Sequence, residues 1–176
     1  QIGLESEPGK GSTFWFTIWP EKWLQQEDTP QRDLRGARVL IAAVSSEDRK
    51  MLTKQALSWE MLPNEAENEK QVLEMLHNGA QWGEQYDLLV IDARATGIDA
   101  FDLSRTIKAN QSIASVRVVV IATPNYLAHG RAMGETGISA SLAKPVRPSR
   151  LYDCLIDVMK NERVVEFQTP PSLRAA

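Results

Sequence analysis

From Arg38 onward the chain alternates short apolar runs with longer stretches in which apolar residues recur every three or four positions. An apolar run bounded by turn residues fits a strand buried on both faces, and the longer period fits an amphipathic helix. Val39–Val44, Leu88–Ile91 and Val116–Ala122 therefore predict three buried strands, Ala140–Leu142 a fourth, and Glu60–Asn64 a fifth with the weakest pattern. Helices are predicted over Glu47–Leu57, Glu67–His77, Phe101–Lys108, Leu127–Glu135 and Arg150–Lys160. Ser45, with Asp48 three places on, resembles a capping box, and Pro148-Ser149 suits the first turn of the last helix. Strictly alternating units with short connections predict an α/β fold, a doubly wound (βα)5 parallel five-stranded sheet. Sites in such sheets lie beyond the carboxyl ends of the strands. Ala43-Val44-Ser45, Asp92-Ala93-Arg94, Ala122-Thr123-Pro124 and Lys144-Pro145 should thus converge on one pocket.

The N-terminal residues follow a different pattern. Gly3–Ser6 and Thr13–Ile18 carry β-branched and aromatic bulk on either side of Pro8, Gly9 and Gly11, which predicts a β-hairpin over residues 1–20. Residues 21–36 are charged, glutamine-rich and without an apolar period, so they read as a linker to a main domain over 37–162. Residues 163–176, with Pro170-Pro171, read as a second linker.

Composition narrows the possibilities. A chain of 176 residues, 43% hydrophobic and 24% charged, has room for one main core and tails. No apolar stretch approaches the roughly 20 residues that span a bilayer, and no secretory signal is visible, so no membrane contact is expected. A net charge of −3 with interspersed signs gives no basic stripe for nucleic acid. Cys154 is the single cysteine and sits in an apolar helix pattern, which suits a reducing cytoplasm. His77 and His129 have no partner at metal-ligand spacing, so a zinc site is not expected.

Over residues 38–160 the chain resembles the response-regulator receiver family, with a hybrid sensor histidine kinase as the implied parent and a flavodoxin-like or CheY-like fold. The resemblance is carried by Tyr86-Asp87-Leu88-Leu89-Val90-Ile91-Asp92, by Gly97-Ile98-Asp99-Ala100-Phe101-Asp102-Leu103 and by Lys144-Pro145-Val146-Arg147-Pro148. It implies that Asp92 stands at the phosphoacceptor position and Lys144 at that of the lysine that pairs with phosphoryl oxygens. Ser6-Glu7-Pro8-Gly9-Lys10-Gly11-Ser12-Thr13-Phe14-Trp15-Phe16 resembles the closing hairpin of a histidine-kinase ATP-binding (HATPase) domain. The motifs that would hold ATP are not in this chain, so the ATP site is incomplete and the fragment is not expected to be catalytic by itself.

The departures from the family form a pattern. Its two acidic residues after the first strand, which supply hard oxygen ligands for Mg²⁺, fall on Ala43 and Val44. Its switch hydroxyl falls on Ala122, with Thr123 one place late, and its switch aromatic falls on Ser141. Thr96 replaces a proline common in the loop after the phosphoacceptor. Glu47 and Asp48 lie on the first helix turn, where they complement the helix dipole. Without flanking carboxylates, Asp92 and Lys144 are free to form a simple ion pair. The expectation is a degenerate receiver that serves as a regulatory or protein-interaction module, with no cofactor and impaired Mg²⁺ binding and phosphorylation. Its partners would be the kinase core or another receiver or phosphotransfer domain, met on a face that includes Tyr126, His129, Arg131 and Met133. The alternative is an atypical receiver that takes a phosphoryl group from phosphohistidine onto Asp92 and needs Mg²⁺. A flavin or nucleotide binder is disfavoured, because the loop after the first strand has no phosphate-cradling glycine.

Overall fold

In the computed structural model the described residues are 2–7, 11–16, 34–93, 97–132 and 137–160. The chain divides into two compact units, residues 1–31 and 32–176.

The first unit contains an antiparallel hairpin of β1 (Ile2–Glu7) and β2 (Gly11–Phe16), registered from Ile2 opposite Phe16 to Glu7 opposite Gly11. Gly3 faces Trp15 across the ladder, and the indole lies where a Cβ at Gly3 would stand. The predicted turn residues Pro8, Gly9 and Lys10, together with Thr17, Ile18 and most of the predicted linker, lie outside the described residues.

The second unit holds five parallel strands, β3 (Arg38–Ala43), β4 (Leu62–Ala66), β5 (Leu88–Asp92), β6 (Arg117–Ala122) and β7 (Ala140–Ala143), in the order β4-β3-β5-β6-β7. They alternate with α1 (Ser46–Ser58), α2 (Glu69–Trp82), α3 (Ala100–Ala109), α4 (Pro124–Ala132) and α5 (Pro148–Met159). This is the expected doubly wound α/β sheet. Strand order reverses between β3 and β5, which puts the ends of those two strands at the switch point.

The period-2 geometry of the strands sorts one apolar run onto two layers. Leu40, Ala42, Leu89, Ile91, Val118 and Val120 pack with Val72, Leu76, Leu103, Ile107 and Leu127 of α2, α3 and α4. Val39, Ile41, Leu88, Val90, Val119 and Ile121 pack on the other face with Leu52, Ala56, Leu151, Leu155 and Val158 of α1 and α5. Each such buried side chain contributes about 1.5–3 kcal/mol relative to exposure. Leu34, in the stretch read as linker, is fully buried in the second layer, so the packed body begins before the expected boundary.

Several predicted boundaries shift for local reasons. The first strand ends at Ala43, and Val44 is 52% exposed rather than part of the buried run. The weak strand lies at Leu62–Ala66 instead of Glu60–Asn64, because Glu60 takes a positive φ of 57° in the turn before it. Helix α2 runs five places beyond His77 to a left-handed cap at Gly83, where φ is 73°. The fourth helix starts at Pro124, three residues before the first residue of its apolar pattern. Among the described residues no helix is long and apolar enough to cross a membrane.

Candidate functional site

The sheet brings most of the expected residues to one end. Ala43 closes β3 and stands beside Asp92, the last residue of β5. Ala122 closes β6 and stands beside Ala143 of β7, immediately before Lys144. The Lys144 N–H donates to the Ala122 carbonyl at 2.9 Å, which fixes where the lysine leaves the sheet, and the Lys144–Pro145 peptide is cis. The Lys144 ammonium is in direct ion contact with Oδ1 of Asp92, whose side chain is only 4% exposed. A carboxylate this far from water needs such a partner.

Ala43 and Val44, expected at the positions of the family's acidic pair, have different surroundings. Ala43 is buried and offers no oxygen from its side chain. Val44 turns outward, and its Cγ2 lies 2.6 Å from where a Cβ would stand at Gly97, so its isopropyl group rests against the backbone of the loop after β5. The carbonyls of Ala43 and Val44 both accept from Nη1 of Arg49, at 2.6 and 3.1 Å. Its Nη2 donates to Glu67 at 2.8 Å, and Glu65 lies 3.5 Å from Nε. The Arg49 side chain is 7% exposed. A guanidinium therefore ties the end of β3 to the end of β4. The sequence carried a signal for it: Arg49, Leu52 and Ala56 share one helical stripe, and Arg49 is the charge on it.

Ala122, Thr123 and Ser141, the residues expected at the switch positions, also differ in their surroundings. Ala122 is fully buried, whereas Thr123 lies outside the strand and uses Oγ1 to accept from the Tyr126 N–H at 3.4 Å, at the start of α4. Ser141 stands beside Val120, is 5% exposed, and its Oγ has no hydrogen-bond partner. Glu47 and Asp48 sit on the first turn of α1, where the Asp48 N–H donates to Ser45 Oγ at 3.3 Å and completes the expected cap. Thr96 and Met133, and the side chains of His129 and Arg131, lie outside the described residues.

Magnesium requires several oxygen ligands in near-octahedral array. The side chains at the ends of β3 and β5 supply one carboxylate, already paired with Lys144, beside an alanine and a valine. Among the described residues no three of His, Cys, Asp and Glu cluster as a metal site would need. The donor set does not fit the ion.

A groove of about 500 Å³ opens elsewhere, lined by Arg38, Met75, Trp82, Glu84 and Tyr86, near the amino ends of β3 and β5. Arg38 pairs with Glu84 at 2.8 Å and lies over the Tyr86 ring at 5.7 Å. Burial raises the Tyr86 hydroxyl above its ordinary value.

Comparison with solved structures settles the architecture. The sensor protein from Polaromonas superposes with a TM-score of 0.62 at 16% identity, over 72% of this chain and 98% of that one. The fold is that of a receiver domain. The chemotaxis response regulator CheY4 of Vibrio cholerae matches at TM-score 0.57 and 18% identity, covering 70% of this chain and 98% of that one. The receiver domain of a sensor histidine kinase from Pseudomonas aeruginosa, whose active-site cleft holds a coordinated magnesium ion, matches at TM-score 0.60 and 19% identity, covering 71% and 98%. No family model and no curated protein matches the sequence.

Proposed function

We propose that residues 38–160 form a pseudo-receiver, the degenerate receiver of a hybrid sensor histidine kinase in two-component signalling. It acts as a regulatory and protein-interaction module with impaired Mg²⁺ binding and phosphorylation. The observation that carries this reading is the end of β3, where Ala43 and Val44 offer no metal ligand, Val44 rests on Gly97, and Asp92 is held by Lys144. A receiver pocket concentrates negative charge to recruit a cation and a phosphoryl donor, and one carboxylate neutralised by one ammonium exerts little such pull. Burial of Ala122 and Ser141 at the switch positions points the same way, since neither can couple a phosphoryl group to α4. In this reading the hairpin β1–β2 is the last piece of an upstream ATP-binding domain, the partners are the kinase core or another receiver or phosphotransfer domain, and the module works in the cytoplasm without a cofactor.

The second reading, an atypical phosphoacceptor at Asp92, is favoured by one observation, the retention of Asp92 and Lys144 in contact at the strand ends. Beryllofluoride with Mg²⁺ mimics an aspartyl phosphate and separates the two. The pseudo-receiver shows no saturable response, and an Ala43→Asp, Val44→Asp double variant, which restores two oxygen donors, serves as the positive control.

A further inference from the structure

A helix leaves its first N–H groups without intrahelical acceptors, and at α3 every one of them is taken by a side chain. The Asp99 N–H donates to Oε1 of Glu69, on α2, at 2.7 Å. The Ala100 N–H donates to the hydroxyl of Tyr126, on α4, at 3.0 Å. The N–H groups of Phe101 and Asp102 donate to Oδ1 of Asp99 itself at 3.0 and 3.1 Å. The Tyr126 ring also stacks on Phe101, with centroids 5.1 Å apart and planes at 20°. Ala100 is fully buried, so no water can replace the hydroxyl without local opening. Phe101 and Tyr126 thus join the start of α4 to the start of α3, and the loop leading into α3 is the one that follows Asp92.

We propose that Tyr126 is a latch that fixes α4 to the amino end of α3. The hydroxyl and the ring together make the start of α4 and the first turn of α3 move as one body. The positions from which a receiver would connect its pocket to α4 are here the small residues Ala122 and Ser141, and Tyr126 makes that connection by another route, from the helix side. A partner that shifts α4 must then break the Ala100 hydrogen bond, and the first turn of α3 loosens with it. The latch goes beyond the pseudo-receiver reading and does not depend on it, because it requires neither metal nor phosphoryl group.

Amide hydrogen exchange on the full chain tests it. Tyr126→Phe keeps the ring and removes the acceptor, and a buried N–H left without an acceptor carries a penalty that corresponds to exchange about five- to a hundredfold faster. The expected result is faster exchange at Ala100 and in the first turn of α4, with β5 and β6 unchanged. Tyr152→Phe, which alters a hydroxyl on α5, leaves Ala100 unchanged. Unaltered exchange at Ala100 in Tyr126→Phe overturns the latch, as does a uniform rise over the whole sheet, which would mark a loss of global stability only. If Tyr126→Phe unfolds, Phe101→Leu removes the stack alone, and the same local pattern at Ala100 and α4 is required of it.

Discussion

Asp92 and Lys144 form an ion pair at the ends of the strands, and the energetics of the two partners can be separated. Lys144 keeps 30% of its side chain in solvent and Asp92 keeps 4%, so removing the lysine strands the more buried charge. Breaking a fully buried pair costs about 3–5 kcal/mol; with one partner part-solvated, Lys144→Met should cost about 1–3 kcal/mol. Asp92→Asn in the Lys144→Met background should recover most of that loss, and urea unfolding of the four proteins gives the coupling. Strictly additive effects would show that the pair carries no structural role. Cys154 offers a second residue-scale check. Burial, and then the nearby Asp157 carboxylate, push its thiol up to about 11. A thiol raised in the folded state adds stability that is complete below its ordinary value near 9 and is lost as pH climbs toward 11. Cys154→Ala should flatten that part of the stability profile, and the native thiol should react with disulfide reagents only on unfolding. The resemblance to the receiver family was what picked out Asp92, Lys144, Ala43, Ala122 and Ser141, and the sheet brings Asp92 beside Ala43 and into contact with Lys144. The resemblance could not place the Val44 isopropyl on Gly97 or the Tyr126 hydroxyl on Ala100, since both contacts join segments distant in sequence.

Among the elements, those with a strong period were read most accurately and those under mixed constraint least. β3, β5 and β6 are buried on both faces and appear as apolar runs. β4 is an edge strand with only Ala66 fully buried, so alternation is faint and its register slips by two residues in the sequence. Its Leu62 N–H donates inward to Ala37, which turns the next residue, Pro63, outward. A residue without an N–H at that place blunts the exposed edge. The predicted helix stops at His77, just before Asn78-Gly79, a pair typical of turns, yet Gly79 is buried inside the helix. A Cβ at Gly79 would stand 2.7 Å from the Glu84 carbonyl and 3.3 Å from the Tyr86 ring. Glycine to alanine inside a helix normally gains up to about 1 kcal/mol. Here the crowding of backbone against backbone outweighs it, and Gly79→Ala should lower stability by about 1–2 kcal/mol. Denaturant unfolding decides the sign, and a more stable variant would mean that the loop after α2 yields freely.

The second unit has the complete fold of a receiver domain. Its sheet order, both apolar layers and the convergence of strand ends are all present, while the strand ends at the switch point hold an ion pair beside a valine. Fold and function separate in this way because the layers are held by dozens of dispersed apolar contacts, whereas the site depends on a few side chains at strand ends. Arg49, bound to the carbonyls at the end of β3 and to Glu67, holds the adjoining strand ends together. On the proposed reading, a module of this kind contributes surface and position to signalling rather than phosphotransfer. The most direct test is a titration of the full chain with Mg²⁺ and beryllofluoride, followed through the amide resonances of Asp92, Ala93, Gly97 and Lys144. The expected result is no saturable shift at these amides under conditions where the Ala43→Asp, Val44→Asp variant responds; saturable shifts centred on Asp92 in the unaltered chain would contradict the account.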